Sequence, residues 1–368
     1  MTSTPHAPHE DTPQTRALPT GVVSRGTGAE RPNVSSPLRR GRLMWTMWVV
    51  ATLAGASVIA SSQEIREPSA IKASITMVPL LALTALFVRW LGPVPLQPEA
   101  GATTTRKRHL ALLVVAVTVP LFATGLLGLA VLGIVAVAAG IATWAWRADV
   151  RRREVLVALG LAVLAALAGS STWLATEDTD TLLFALSMLP LVTLSLLAGW
   201  AAARRGGWDR TGVGRTLLLT DGRIAALKAF GLGVLLGLPW ALGNISNGPG
   251  TGDPMKTFWE PVATVMFGVS EEAWARVFLI SALFLIFRRV AQAPTALLTA
   301  ALIATYWFAF IHMPGNPVGT LLLGTVFVLP MTYLYLRRGL EAAIGFHICA
   351  NLVKFVAAYL ATAGIWFT

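Results

Sequence analysis

Long apolar runs alternate with short polar segments from residue 43 to residue 363. Runs close to the ~20 residues that a helix needs to cross a bilayer fall at 43–61, 74–92, 109–125, 126–146, 155–175, 181–203, 224–243, 259–287, 294–313, 318–336 and 341–363. The pattern predicts an all-α fold, a polytopic transmembrane bundle of about 11 helices. The break inside 109–146 rests on the turn-forming segment TGLLG, Thr124 to Gly128. Residues 1–42 are rich in Pro, Ser, Thr, Gly and Arg, and burial of so little apolar surface cannot offset the entropy of ordering. They are expected to form a disordered basic arm. They do not read as a signal peptide, because the first apolar run begins near Leu43 and no small-residue cleavage site follows it.

Composition strengthens the membrane reading. With 55% apolar and 13% charged residues and a mean hydropathy of +0.66, a chain of 368 residues is too apolar for a soluble domain. A net charge of +11 would point to nucleic acid in a soluble protein, but here the basic residues occupy short connections between apolar runs. The charge is therefore read as topology, and no nucleic-acid partner is expected. Basic clusters lie in the arm, at Arg106 to Arg108, Arg147 to Arg153, Arg204 to Arg215, Arg288 and Arg289, and Arg337 and Arg338. Each falls at an even-numbered return to one side, whereas TEDTD (Thr176 to Asp180) and the Gly-rich stretch from Asn244 to Pro254 carry no such cluster. This predicts a multi-pass protein of the cell membrane with a cytoplasmic N-terminus. The single cysteine, Cys349, rules out an internal disulfide and a multi-cysteine metal cluster.

The intramembrane titratable groups concentrate late in the chain, which divides it into an N-terminal transmembrane region, 43–219, and a C-terminal domain, 220–363, that carries any chemistry. In GVSEEAWARVF, Gly268 to Phe278, three ionisable side chains lie in an apolar run, where each costs about 2.5–3.5 kcal/mol at mid-bilayer. Glu272 and Arg276 are four apart and share a helix face, acid first, the better orientation. Glu271 is rotated about 100° away and is left unpaired, which suits general-base work; the alternative is a packing ion pair with a spare acid in a wet crevice. In YWFAFIHMPG, Tyr306 to Gly315, Phe308 and His312 lie one turn apart near a helix end that Pro314 terminates. Taken alone, such a histidine is more often interfacial than catalytic. In GFHICANLVK, Gly345 to Lys354, His347 and Asn351 face together; a histidine can act as acid, base or ligand near neutral pH, and the amide can fix its tautomer or donate to an oxyanion. Lys354 reads as a snorkelling residue and Cys349 as a small apolar filler. The spacing is unlike H-E-x-x-H, so the candidates must converge from three helices.

The ordered set Glu-Glu-x-x-x-Arg (Glu271, Glu272, Arg276), Phe-x-x-x-His (Phe308, His312) and His-x-x-x-Asn (His347, Asn351) resembles the CPBP family of intramembrane proteases. These are the CAAX prenyl endopeptidases and bacteriocin-processing enzymes, also called the Abi family. The resemblance covers about residues 220–363. It implies an all-helical hydrolase with an intramembrane site, in which Glu271 activates water with help from His312 while His347 and Asn351 stabilise the oxyanion or bind a metal. Glu272, Arg276 and Phe308 would support the site. Where the family often has an aromatic residue before the arginine and a glycine after it, this chain has Ala275 and Val277, which weakens close packing there. His312, His347 and Glu271 with water would make a tetrahedral zinc site; a metal-free hydrogen-bonded cluster is the alternative.

The implied function is an endopeptidase acting on a hydrophobic or membrane-tethered polypeptide, with the bilayer as its other partner. The alternatives are a non-catalytic scaffold of the same family and a secondary transporter using Glu271 and the histidines as a proton relay. The lack of an internal repeat argues against the transporter. One geometric test is unresolved by the sequence. At about 1.5 Å per residue, Glu271 and His312 lie roughly 25 Å from the turn at Arg288 and Arg289, but His347 lies only about 12 Å from Arg337 and Arg338. One of the last two helices is therefore expected to be tilted, displaced or broken, with Pro330 the candidate break.

Overall fold

The computed structural model describes residues 86, 87, 89, 128–208, 212–245, 259–289, 291–313 and 317–363. Eight principal helices follow the apolar runs: α1 Gly128–Ala145, α2 Arg152–Thr176, α3 Thr179–Gly206, α4 Arg223–Ile245, α5 264–287, α6 Ala293–His312, α7 317–338 and α8 Leu340–Thr362. No strand occurs among the described residues. Six of these helices, α2, α3, α4, α6, α7 and α8, are long and apolar enough to cross a membrane. The helix α5 is of similar length, but Glu271, Glu272 and Arg276 interrupt its apolar run. The chain is thus an all-α, multi-pass membrane protein. The expected count of about 11 helices is not reached: the arm 1–42, the runs 43–61 and 109–125 and nearly all of 74–92 lie outside the described residues.

The described basic turns, around 147–153, 204–208, 288–289 and 337–338, gather at one end, as the charge pattern predicts for them. Arg204 pairs with Glu154, and Arg205 Nε lies 2.6 Å from Asp149. Arg153 donates to the Leu218 carbonyl at 2.8 Å. Trp208 stacks on Phe284, one turn before Arg288, with ring centroids 5.3 Å apart.

Lipid offers no hydrophobic drive for one helix to join another, so close backbone approach supplies the packing. Gly233 and Gly237 on α4 form a small-xxx-small face against α8, where an added Cβ would meet the Ala342 carbonyl oxygen at 2.0 Å and the Phe346 carbonyl oxygen at 2.7 Å. Gly345 on α8 answers them, its Cβ position lying 2.2 Å from the Phe230 carbonyl oxygen. Gly345→Val is therefore expected to force α4 and α8 apart and to reduce the recovered folded protein several-fold; overpacking of this kind costs typically about 1–3 kcal/mol or more. Monodisperse protein in detergent, measured by size-exclusion chromatography, is the readout, with Gly160→Val as control because a Cβ there meets nothing within 4 Å. Equal yields would remove the claim that this crossing holds α8.

The depth of His347 is settled by where α8 begins. Its first residue, Leu340, is buried and donates its N–H to the Arg215 carbonyl at 3.0 Å. Glu341 accepts the Leu217 and Leu218 N–H groups at 3.0 and 2.8 Å, so residues 212–220 cover the start of the helix. Gly339 makes the turn at φ 96, where a side chain would also strike the Arg215 carbonyl oxygen at 2.6 Å. The helix thus starts inside the protein, which carries His347 deeper than its sequence distance from Arg338 implies. The irregularity expected near Pro330 is present as well: 324–328 is wound as π turns, and Trp240 Nε1 donates at 2.6 Å to the Val326 carbonyl, the group that Pro330 deprives of its α-helical donor.

Candidate active site

The site lies where α5, α6 and α8 meet. From Glu272 to Ile280, α5 is wound as π turns, a form that recurs at functional sites. It crosses α3 where Gly199 faces Val277, with no room for a Cβ beside the Val277 carbonyl (2.5 Å). The close approach that the sequence seemed to forfeit at Val277 is therefore preserved, because the glycine is on the opposing helix. Gly268, one turn before the carboxylates, admits Ile348 of α8 in the same way, at 2.4 Å from a hypothetical Cβ.

Adjacent side chains on a helix diverge, yet both carboxylates reach His347, because they address opposite nitrogens of its ring. Nδ1 donates to Glu272 Oε1 at 2.9 Å, and Nε2 lies 3.4 Å from Glu271 Oε2. Glu272, with no exposed surface, also faces Arg276, whose Nε is 3.3 Å from Oε2. The guanidinium lies over the Phe308 ring, 4.4 Å from its centroid, a cation–π contact that stabilises a charge removed from water. On α6, His312 Nδ1 donates to the Phe308 carbonyl at 2.9 Å, leaving Nε2 3.7 Å from Glu271 Oε1. Trp274 closes the aromatic wall, 5.7 Å from Phe308 between ring centroids.

The structure thus assembles Glu271, Glu272, Arg276, Phe308, His312 and His347. Two sequence expectations are corrected. Glu271 is not isolated but sits between the two imidazoles, because α6 and α8 flank the exposed side of α5. His347, grouped in the sequence with Asn351, is instead held by Glu272, so the buried ion pair also orients a candidate catalytic ring. Asn351 lies one turn further along α8, half-buried, with no hydrogen bond to the cluster among the described residues. Cys349 faces Gly237 on α4, as befits a filler. Trp274 was overlooked in the sequence, although its place two residues after Glu272 and opposite Phe308 was legible as an aromatic inside a polar motif.

With both Nδ1 atoms committed as donors, Nε2 is the nitrogen of each imidazole that faces the Glu271 carboxylate. Between them, Glu271 Oε2 is buried without a hydrogen-bond partner. A water molecule, with two O–H donors and two acceptor sites, can hydrogen-bond to the carboxylate and to an imidazole Nε2 together. The donor types are also those of a zinc site. Among the described residues, however, no three His, Cys, Asp or Glu side chains converge as a metal requires, so no step is assigned to a metal.

A polytopic helical bundle with a glutamate held between two histidines inside the membrane defines a class of candidate intramembrane hydrolase. Residues 254–353 match the family described as Type II CAAX prenyl endopeptidase Rce1-like. No curated protein and no solved structure matches the chain.

Proposed function

We propose that the protein is an intramembrane endopeptidase that hydrolyses a hydrophobic or membrane-tethered polypeptide through a water activated by Glu271. The observation that carries the reading is the position of Glu271 between the Nε2 atoms of His347 and His312, at 3.4 and 3.7 Å. In this reading Glu271 takes one proton from the water as its oxygen attacks the scissile carbonyl carbon. His312 Nε2 accepts the second O–H and aligns the attack. The developing oxyanion is met by the Asn351 amide, and by His347 when its Nε2 carries a proton. Collapse of the tetrahedral intermediate breaks the C–N bond, and Glu271 returns its proton to the leaving amine. Glu272, Arg276 and Phe308 hold the two reacting helices in register. The basic end of the bundle is taken to face the cytoplasm.

Trapping tests this reading. Glu271→Gln keeps the shape of the site but cannot act as base, so a polypeptide is expected to co-purify uncut with this variant and to appear only as fragments with the parent. Identical co-purifying polypeptides would favour the scaffold. A second expectation concerns metal: activity is expected to survive exhaustive chelation, with less than a tenth of an equivalent of zinc in the active parent on elemental analysis, roughly the level of adventitious binding. One equivalent of zinc that is lost in both His312→Ala and His347→Ala would make the protein a metalloprotease.

A further inference from the structure

Resting on that reading, we infer that Glu341, on α8 and remote from the reacting atoms, is a positioning residue that sets His347 against Glu271 and Glu272 through the connection 212–220. Its carboxylate clasps two consecutive backbone groups. Oε2 accepts the Leu217 N–H at 3.0 Å and Oε1 the Leu218 N–H at 2.8 Å, so both oxygens are used and the two segments are fixed in register as well as in distance. Leu340 adds a third bond beside them, its N–H donating to the Arg215 carbonyl at 3.0 Å. From Glu341 to His347 the helix is continuous, about 9 Å long at 1.5 Å per residue, and every residue from Ala342 to His347 is buried. A close-packed interior transmits displacement rather than absorbing it. A shift of the clasp is therefore a shift of the imidazole.

The other half of the frame runs through α3. Trp200 donates its Nε1–H to Thr216 Oγ1 at 2.9 Å, a buried bond that fixes the same connection one residue before Leu217. Its neighbour Gly199 is the residue that lets α3 touch α5, with 2.5 Å from a hypothetical Cβ to the Val277 carbonyl oxygen. Two adjacent residues of α3 thus hold both sides of the site: Gly199 locates the helix that carries Glu271, Glu272 and Arg276, and Trp200 locates, through Thr216 and Glu341, the helix that carries His347. Arg153 braces the connection from α2, 2.8 Å from the Leu218 carbonyl. The frame closes on the bond from His347 Nδ1 to Glu272 Oε1, at 2.9 Å, and such bonds weaken steeply once their angle is lost. Neither Glu341 nor Trp200 belongs to the polar motifs that mark the site in the sequence.

The experiment reads the His347 proton itself, which does not require turnover. The full chain, carrying isotopically labelled histidine, is compared by NMR in lipid nanodiscs, and the Nδ1–H resonance that disappears in His347→Ala is the one followed. In Glu341→Gln one acceptor oxygen is lost and an amide N–H group faces a backbone N–H, so this resonance is expected to move upfield or vanish while monodisperse protein is still recovered. Cleavage per folded molecule is expected to fall at least about tenfold, since a misplacement of about 1 Å can cost roughly 100-fold. Trp200→Phe, which removes the bond to Thr216 and keeps an aromatic ring, is expected to move the resonance in the same direction. Asp221→Asn, beside the connection and outside the clasp, is expected to leave it in place. An unchanged resonance in folded Glu341→Gln would overturn the inference, as would an equal shift in Asp221→Asn or parental cleavage despite a shifted resonance. If Glu341→Gln does not fold, Trp200→Phe decides, and an unchanged resonance there overturns it. A resonance that moves as expected in a chain that cleaves nothing would sink the peptidase reading and leave the coupling of Glu341 to His347 standing.

Discussion

Glu271→Gln is expected to lower cleavage by at least about 10²–10⁴-fold, the usual contribution of a positioned general base, while leaving the amount of folded protein in the membrane unchanged. The amide matches the carboxylate in shape, and no buried cation depends on Glu271 for its main partner, since Arg276 lies against Glu272. The chemistry should disappear without a folding cost. The measurement is cleavage per folded molecule, with folded protein quantified by size-exclusion chromatography. A Glu271→Gln protein that cleaves at the parental rate would remove Glu271 from the chemistry, and one that fails to fold would show its role to be structural.

The neighbouring carboxylate should fail in the opposite manner. Glu272 is fully buried, pairs with Arg276 and accepts the Nδ1 proton of His347. Glu272→Gln strands a guanidinium in the interior, and Arg276→Ala strands the carboxylate; breaking a buried pair costs about 3–5 kcal/mol. Either change is therefore expected to remove most of the folded protein. Phe308 moderates the loss for the free guanidinium through its ring face, so Glu272→Gln should be the milder of the two. The double variant Glu272→Gln with Arg276→Met, which leaves no unpaired charge, should recover folded protein beyond either single change. Equal yields of Glu271→Gln and Glu272→Gln would show that the two carboxylates have been assigned the wrong roles.

Much of this arrangement was legible in the sequence because membrane burial makes polar residues conspicuous. Ends of the apolar runs foretell α2 to α8 to within a few residues, since a helix that spans lipid has little freedom in length. Glu272 and Arg276 were readable as a pair from helix periodicity alone. His347 was not readable as the partner of Glu272, because that contact depends on how deep α8 begins, and depth is set by tertiary cover from residues 212–220 and by the turn at Gly339. The crossing of α3 over α5 was hidden for a similar reason: Gly199 lies in a run of small residues, and its importance appears only when Val277 is placed against it. The Gly233 and Gly237 pair could have been found by spacing, as a small-xxx-small face in an apolar segment.

The account turns on one claim, that Glu271 activates water for peptide hydrolysis, and the most direct test is a comparison of polypeptide termini in membranes. Cells expressing the parent, Glu271→Gln or no protein are lysed, and the new N- and C-termini of their membrane polypeptides are identified by mass spectrometry, with expression of the two chains matched. The prediction is at least one new pair of termini, at a hydrophobic or juxtamembrane position, that is present with the parent and absent in both other samples. Termini that are the same with Glu271→Gln as with the parent would contradict it.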